Sequence, residues 1–372
     1  MTSDTWVVSI DDLRGSAAVE PLWRELQARA DHSFFQSWGW IGAWLRTFPE
    51  HAGLLCLRVC FQGRVVGLSV LGRNEVATSR FFSSRALLVS EAGVPDHDSL
   101  TVEHSGMLME RGLEREILEH GFRHLYQIDW PWDELFVSGV EHQHAAIYVD
   151  AAKAAGLTPE VRAEHPYYFV DLNALRDAGG DYLATLSRNT RFQIKRAMRL
   201  YESHGALRVY KAQSLPEALA MFEKLKRVHQ ACWVARGEPG AFATERITEF
   251  HQQLISACFE RGEVQLLEVY AGEHVLGYLY NFVMDGVVSN YQTAFLYEDD
   301  ARLKPGLVSH ALAVEQALSE DLSVYDFLMG DQRFKRSLAK SEGTMLWLVL
   351  SNDSIRSSFR ARARRLRDWL KR

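Results

Sequence analysis

The sequence predicts an α/β (α+β) protein built from two copies of one unit, each a mixed, largely antiparallel sheet flanked by helices. Three observations carry this expectation. Residues 263–335 run as three strands, a polar loop, a helix and a further strand. The same order of patterns occurs much earlier in the chain. A length of 372 residues exceeds what one core usually organises, so two domains are expected.

In the N-terminal copy, Trp6 to Ile10 reads as a strand and Ala17 to Ala30 as a helix with Leu22, Trp23 and Leu26 on one side. Phe34, Trp38, Ile41, Trp44, Leu45 and Phe48 recur at helical spacing, which marks a buried helix rather than a ligand platform. Leu54 to Phe61 and Val65 to Leu71 form a hairpin around Gln62-Gly63. Its pattern, Gly63-Arg-Val-Val-Gly67, returns as Gly272-Glu-His-Val-Leu-Gly277, and Asp133 to Gly139 is echoed by Tyr325 to Gly330. The loop Val94 to His104 holds Asp96, His97, Asp98, Glu103 and His104, at spacings of no recognised metal site; a solvated loop is expected. Arg115 to Tyr126 and Ala145 to Ala155 are helices around the strand Glu134 to Val140. The boundary is expected in the polar stretch Thr158 to His165, giving domains 1–160 and 161–350 and a C-terminal segment 351–372.

The second copy opens with the strand Tyr167 to Leu172. Arg188, Arg191, Lys195 and Arg199 then share a helical stripe, capped by Ser187 or Asn189; their mutual repulsion is relieved by an anion or by solvent. Leu215 to Ala235 is an amphipathic helix burying Phe222, Leu225, Val228, His229, Cys232 and Trp233. It breaks at Arg236 to Phe242, a glycine-rich loop read as flexible and placed to cover a substrate. Strands Val264–Ala271, Val275–Met284 and Val287–Phe295 form a meander, with Asp285-Gly286 at the second turn. Pro305-Gly306 opens a helix through Leu307, His310, Ala311, Val314 and Leu318, and Ser323 to Leu328 is the closing strand. A helix start offers unpaired N–H groups and the positive end of the helix dipole to an anion, glycine admits it closely, and Lys304 adds a charge. An ordinary loop-to-helix junction is the competing reading.

Two stretches carry a resemblance: Leu303-Lys304-Pro305-Gly306-Leu307, and Tyr325-Asp326-Phe327-Leu328-Met329-Gly330-Asp331 with Phe334-Lys335. They resemble the acyl-CoA site of the GNAT acyltransferase superfamily, and more closely its CelD/BcsL-type acetyltransferases, related to the FemAB aminoacyltransferases. The likeness covers roughly residues 165–345, with one glycine where the family usually has several. It implies tandem GNAT-like domains, the N-terminal one degenerate. It also implies acyl-CoA as co-substrate, with no metal. Gln292, Thr293 and Ala294 would hold the pantetheine and polarise the carbonyl, and Lys304, Gly306, Leu307 and Val308 the pyrophosphate. Tyr291, His310, Asp326 and Asp331 are candidates for the group that takes the amine proton, although Tyr291 is also read as core, His310 as sitting at the helix start against phosphate, and Asp331 as an ion-pair partner of Lys335. Asp98 joins them because relatives carry an acid in a similar loop. Arg188, Arg191, Lys195 and Lys335 are candidate substrate contacts.

The expected function is N-acyl transfer from acyl-CoA to a primary amine on a small or saccharide-linked acceptor, without a covalent enzyme intermediate. An aminoacyl-tRNA-dependent transferase and a non-catalytic binding module are the alternatives. The net charge of −6 argues against a DNA-binding surface, though a local basic patch leaves tRNA open. Four cysteines show no zinc spacing, and Cys56 and Cys60, in one strand-like run, are read as small buried hydrophobes. The first residues lack a signal-peptide pattern, so the cytoplasm is expected. The basic stretch Ser354 to Arg372 reads as an amphipathic helix that packs its stripe of Ile355, Phe359 and Leu366 on the body; membrane-surface or RNA contact is its sharper alternative.

Overall fold

A computed structural model describes residues 5–13, 16–48, 53–79, 82–95, 97–100 and 102–352. The expected C-terminal helix, Asp96 of the polar loop and the extreme N-terminus lie outside them. The chain divides into two compact units, Met1–Glu164 with Thr344–Arg372, and His165–Gly343.

In the first unit, β1 (Trp6–Asp12), α1 (Glu20–Gln27), α2 (Trp38–Arg46), β2 (Leu55–Phe61), β3 (Arg64–Ser79) and β4 (Phe82–Val89) follow in order. After them come β5 (Leu108–Met109), α3 (Glu114–Gln127), β6 (Glu134–Glu141) and α4 (His142–Ala154). Residues Trp38 to Leu45 of α2 are all buried, so the tryptophan-rich helix is core, as its spacing requires. Gln62 and Gly63 both take positive φ, the turn whose twist matches a tight hairpin, and β2 pairs antiparallel with β3 across it. The sheet order is β1-β2-β3-β4-β6, with one parallel pairing, β4 with β6.

The second unit is built from the part of β7 (Thr158–Asp171) that begins at His165, α5 (Leu172–Asp177), α6 (Tyr182–Thr185), α7 (Arg188–Tyr201), β8 (Leu207–Lys211), α8 (Leu215–Val234) and α9 (Glu245–Cys258). It continues with β9 (Val264–Ala271), β10 (His274–Met284), β11 (Val287–Phe295), α10 (Pro305–Ser319), β12 (Val324–Met329) and α11 (Arg333–Leu338). Side chains of Ser187, Ser214 and Thr244 accept first-turn N–H groups and so start α7, α8 and α9 where they do. The order is β7-β12-β11-β10-β9-β8, antiparallel except for β11 with β12. Each unit thus has a meander, one parallel neighbour and helices on the sheet, the repeated mixed architecture that the pattern implies. On one face, Leu267, Leu279, Val288 and Tyr325 pack with Val308, Ala311 and Val314 of α10. On the other, Phe222 of α8 and His251 of α9 meet Tyr280.

The last strand, β13 (Ser341–Ser351), pairs antiparallel with β6, and Leu346, Leu348 and Leu350 join the core of the first unit. The sequence expectation ran the second domain to residue 350. Alternating apolar residues identify a strand but not its partner, so this assignment waited on the fold.

Candidate active site

The site is organised by an irregularity in β11. Tyr280 pairs with Gln292 and Asn281 with Asn290, which leaves Tyr291 as one extra residue in the strand at this register shift. Such a bulge shifts the alternation of side chains by one. Before it, Val288 faces α10; after it, Thr293 lies opposite core residue Leu279 and the Phe295 ring meets His310 of α10, 5.4 Å between centroids. Without the bulge, Thr293 and Phe295 would face α8. The parallel pairing with β12 holds at Val287↔Val324, Val288↔Tyr325 and Ser289↔Asp326, and no further pair follows among the described residues. From Asn290 onward the two strands part.

The start of α10 lies against the separated segment. Lys304 occupies the cap position, where its side chain cannot accept a hydrogen bond, and Pro305 contributes no N–H. The N–H groups of Gly306 and Leu307 therefore have no side-chain cap. Gly306 is half-buried, and a Cβ there would sit 3.2 Å from the Phe295 ring, so the absent side chain lets that ring pack against the helix start. Val308 is buried and gives its N–H to the Lys304 carbonyl, 3.0 Å, so of the four expected pyrophosphate contacts it is the one already used by the helix.

His310 follows one turn after Gly306, on the same face. It is 1% exposed, and neither ring nitrogen has a hydrogen-bond partner among the described residues. Phe327 lies edge-on at 5.4 Å and Phe334 stacks at 5.3 Å. Burial, with the charge of Lys335 beside it, pushes the His310 pKa down to about 3. A ring so held is neutral and a poor proton acceptor, which counts against the sequence expectation of a base here; it remains a hydrogen-bonding group facing an aromatic wall.

The end of β12 is a strained turn. Leu328 takes φ +63° and its N–H is held by Asp326 Oδ1 at 2.7 Å, so the buried Asp326 carboxylate shapes this turn. Lys335 Nζ donates to the carbonyls of Leu328 (3.1 Å) and Met329 (2.5 Å). The expected Asp331–Lys335 pair is thus replaced: Asp331 is exposed and accepts from Arg336, 2.7 Å, and from the Tyr168 hydroxyl, 3.1 Å. Two successive carbonyls offered a better-placed cradle for the ammonium than a carboxylate out in solvent.

The opposite face bears on two further expectations. Tyr291 packs beside Phe282, 4.8 Å, and His251, 5.4 Å, so the bulged residue is part of an aromatic core. Gln292 shares that face, while Ala294 is buried opposite Tyr278. The loop read as flexible is pinned. His229 Nδ1 donates to the Thr293 carbonyl at 3.2 Å, and its Nε2 accepts the Ala241 N–H at 3.2 Å. Gln230 accepts from the Phe242 N–H and donates to the Pro239 carbonyl. A Cβ on Gly240 would lie 2.3 Å from Gln230 Oε1, so this glycine supplies close contact rather than mobility.

Of the basic stripe, Arg188, Arg191 and Lys195 lie along α7, and Arg191 donates to the Ala184 carbonyl, 3.1 Å. Asp98 belongs to the first unit, where its carboxylate accepts the N–H groups of Ala92, Gly93 and Val94; both oxygens are committed to a loop clamp, which removes the reason for assigning it a proton-transfer role. In that loop His104 meets Glu141 at 2.6 Å. Sequence reasoning missed the aromatic wall of Phe295, Phe327 and Phe334 and the bridging role of His229. Phe334 stood beside Lys335 in the motif, whereas His229 gave only an apolar-stripe signal.

Residues 188–336 match the family model described as an acetyltransferase (GNAT) domain. No curated relative matches the sequence. Among solved structures, FemX shares 12% identity over 92% of this chain and 97% of its own, with a TM-score of 0.58. The C-terminal domain of a putative lysylphosphatidylglycerol synthetase from Agrobacterium fabrum shares 9% over 93% and 94%, TM-score 0.54. L-PGS from Bacillus licheniformis shares 11% over 94% and 96%, TM-score 0.53. At these identities the likeness is one of fold. Residues 188–336 thus carry an acetyltransferase (GNAT) domain. No described helix is long and apolar enough to cross a membrane.

Proposed function

We propose that this protein is an N-acyltransferase that takes an acyl group from acyl-CoA and delivers it directly to a primary amine on a small or saccharide-linked acceptor. The observation that carries the reading is the coincidence, in one unit, of a bulged strand parting from its parallel neighbour and an uncapped, glycine-containing helix start beside it. Separated strand backbone offers N–H and C=O groups to an extended amide-bearing arm. The helix start, with Lys304, suits a diphosphate. The CelD/BcsL-type motif residues Tyr325 to Asp331 favour the same donor.

In the transfer, the amine nitrogen attacks the thioester carbonyl carbon and a C–N bond forms. Negative charge grows on the carbonyl oxygen, then the C–S bond breaks and the thiolate leaves with the electron pair. The amine proton passes to solvent or to the departing sulfur. Backbone donors of β11 near Gln292 and Thr293, and the positive charge of Lys335, are the groups that meet the growing negative charge. Catalysis by orientation and electrostatics needs no nucleophilic side chain.

Calorimetric titration with acetyl-CoA and a longer acyl-CoA tests the reading. Binding is expected in the unaltered chain, and Gly306→Glu should weaken it roughly 100-fold, by placing a like charge where the diphosphate sits. A chain that binds neither ligand, or a folded Gly306→Glu variant that binds as before, removes the proposal. A second reading, aminoacyl transfer from charged tRNA, draws on the fold shared with FemX and on the exposed cations of α7. It requires binding of charged tRNA that Arg191→Glu and Lys195→Glu abolish.

A further inference from the structure

Helix α11 forms a wall shared by two spaces. On one side Phe334 stacks on His310 and Lys335 reaches the carbonyls of Leu328 and Met329. On the other, Arg333, Arg336 and Ser337, with Lys340 just beyond the helix, line a cleft of about 400 Å³ completed by Ser187 and Thr190 at the start of α7. No carboxylate lines this cleft. Lys340 is held in place by the Thr185 carbonyl, 2.8 Å, and Arg336 by Asp331 outside the lining, 2.7 Å. The Arg333 guanidinium is exposed and makes no ion pair or hydrogen bond among the described residues.

Several positive groups facing one concave space repel one another unless an anion joins them. The α7 end adds to the imbalance: its first turn holds no acidic residue and begins with Arg188, the reverse of what a helix dipole favours. The Ser187–Thr190 hydroxyl pair stands among the cations with one O–H left to donate, while the Ser337 hydroxyl is spent on the Phe334 carbonyl, 2.8 Å; the cations and that one hydroxyl make a donor set suited to an oxyanion. The cations converge on one cleft rather than following a track, which suits a compact group better than a nucleic-acid strand.

We infer that this cleft binds a phosphate or diphosphate group of the acceptor, so that the amine acylated at the far side of α11 belongs to a phosphorylated molecule. This rests on the acyl-transfer reading above and deepens it. Since a helix with its side chains is about 10 Å across, the acceptor's amine and its phosphate are separated by roughly that distance. The class of reaction that supplies the substrate is one that leaves an amine on a phosphate ester.

The test is titration of the full chain with inorganic pyrophosphate, in the presence of saturating acetyl-CoA so that the start of α10 is occupied. One-to-one binding is expected, weakened roughly tenfold or more by Arg333→Glu and by Lys340→Ala and largely kept in Arg333→Lys. Acetyl-CoA affinity should be unchanged in all three variants, which also reports that they fold. Absence of saturable pyrophosphate binding, or binding indifferent to Arg333 and Lys340, overturns the inference. A single-stranded RNA oligonucleotide bound more tightly than pyrophosphate, and lost with the same variants, overturns it too, in favour of a nucleic-acid partner. If acetyl-CoA itself does not bind, pyrophosphate is titrated alone: Arg333-dependent binding then keeps the anion cleft while the donor reading falls.

Discussion

His229, His251 and His310 are all driven toward the neutral form by burial, His251 and His310 to about 3. The unfolded chain binds their protons near the ordinary value of about 6.5, and the folded chain refuses them. The sign follows: between the folded and unfolded values the unfolded state holds more protons, so stability is full above that pH and falls as the pH drops below it. Each fully buried ring contributes up to about 1.4 kcal/mol per pH unit. Urea midpoints measured from neutral to mildly acidic pH should decline, and His251→Phe, which keeps a ring beside Phe250 and Tyr280, should make the decline shallower. An unchanged slope would show that His251 is not held neutral. Lys335 is a different case, because its charge is placed by two carbonyls at the end of a strained turn. Lys335→Met should lower kcat by about 100-fold with acyl-CoA affinity nearly constant. A loss confined to thermal stability would make Lys335 a clamp and nothing more.

At the scale of elements, the bulge at Tyr291 decides which face of β11 the site occupies. Deleting Tyr291 restores a regular ladder with Thr293 still opposite Leu279, and removes the local bend where β11 parts from β12. The expected result is a chain that keeps its strand content by circular dichroism but no longer binds acyl-CoA. Retained binding would mean that the bulge does not set the site. The strands, the Asp285-Gly286 turn and the opening of α10 at Pro305 were legible, because turn chemistry and apolar alternation are local. The bulge was not, since one additional residue leaves composition and periodicity almost untouched. The pinned loop was misread for a related reason: glycine is the residue of both mobility and close contact, and only the position of Gln230 tells which applies at Gly240.

Across the whole molecule, the first unit takes its strand β13 from the far end of the chain. Leu346, Leu348 and Leu350 are buried there, and each fully buried leucine stabilises a domain by roughly 2 kcal/mol against a usual total of about 5–15 kcal/mol. A chain ending at Gly343 should therefore lose the first unit. Limited proteolysis of that chain should degrade residues before His165 while a fragment near His165–Gly343 persists; a fully resistant N-terminal half would contradict the assignment.

By itself the sequence determined the elements, the repeated order of strands and helices, the glycine at the start of α10 and the Phe334-Lys335 pair, because these depend on neighbours a few positions away. Tertiary structure alone decided that Asp331 meets Arg336 instead of Lys335, that His310 is buried without a hydrogen-bond partner among the described residues, and that cations from α11 and Lys340 gather opposite the start of α7. Each of those outcomes depends on which groups distant in the chain share a volume, on how water is excluded from it, and on the energy of charges left there together.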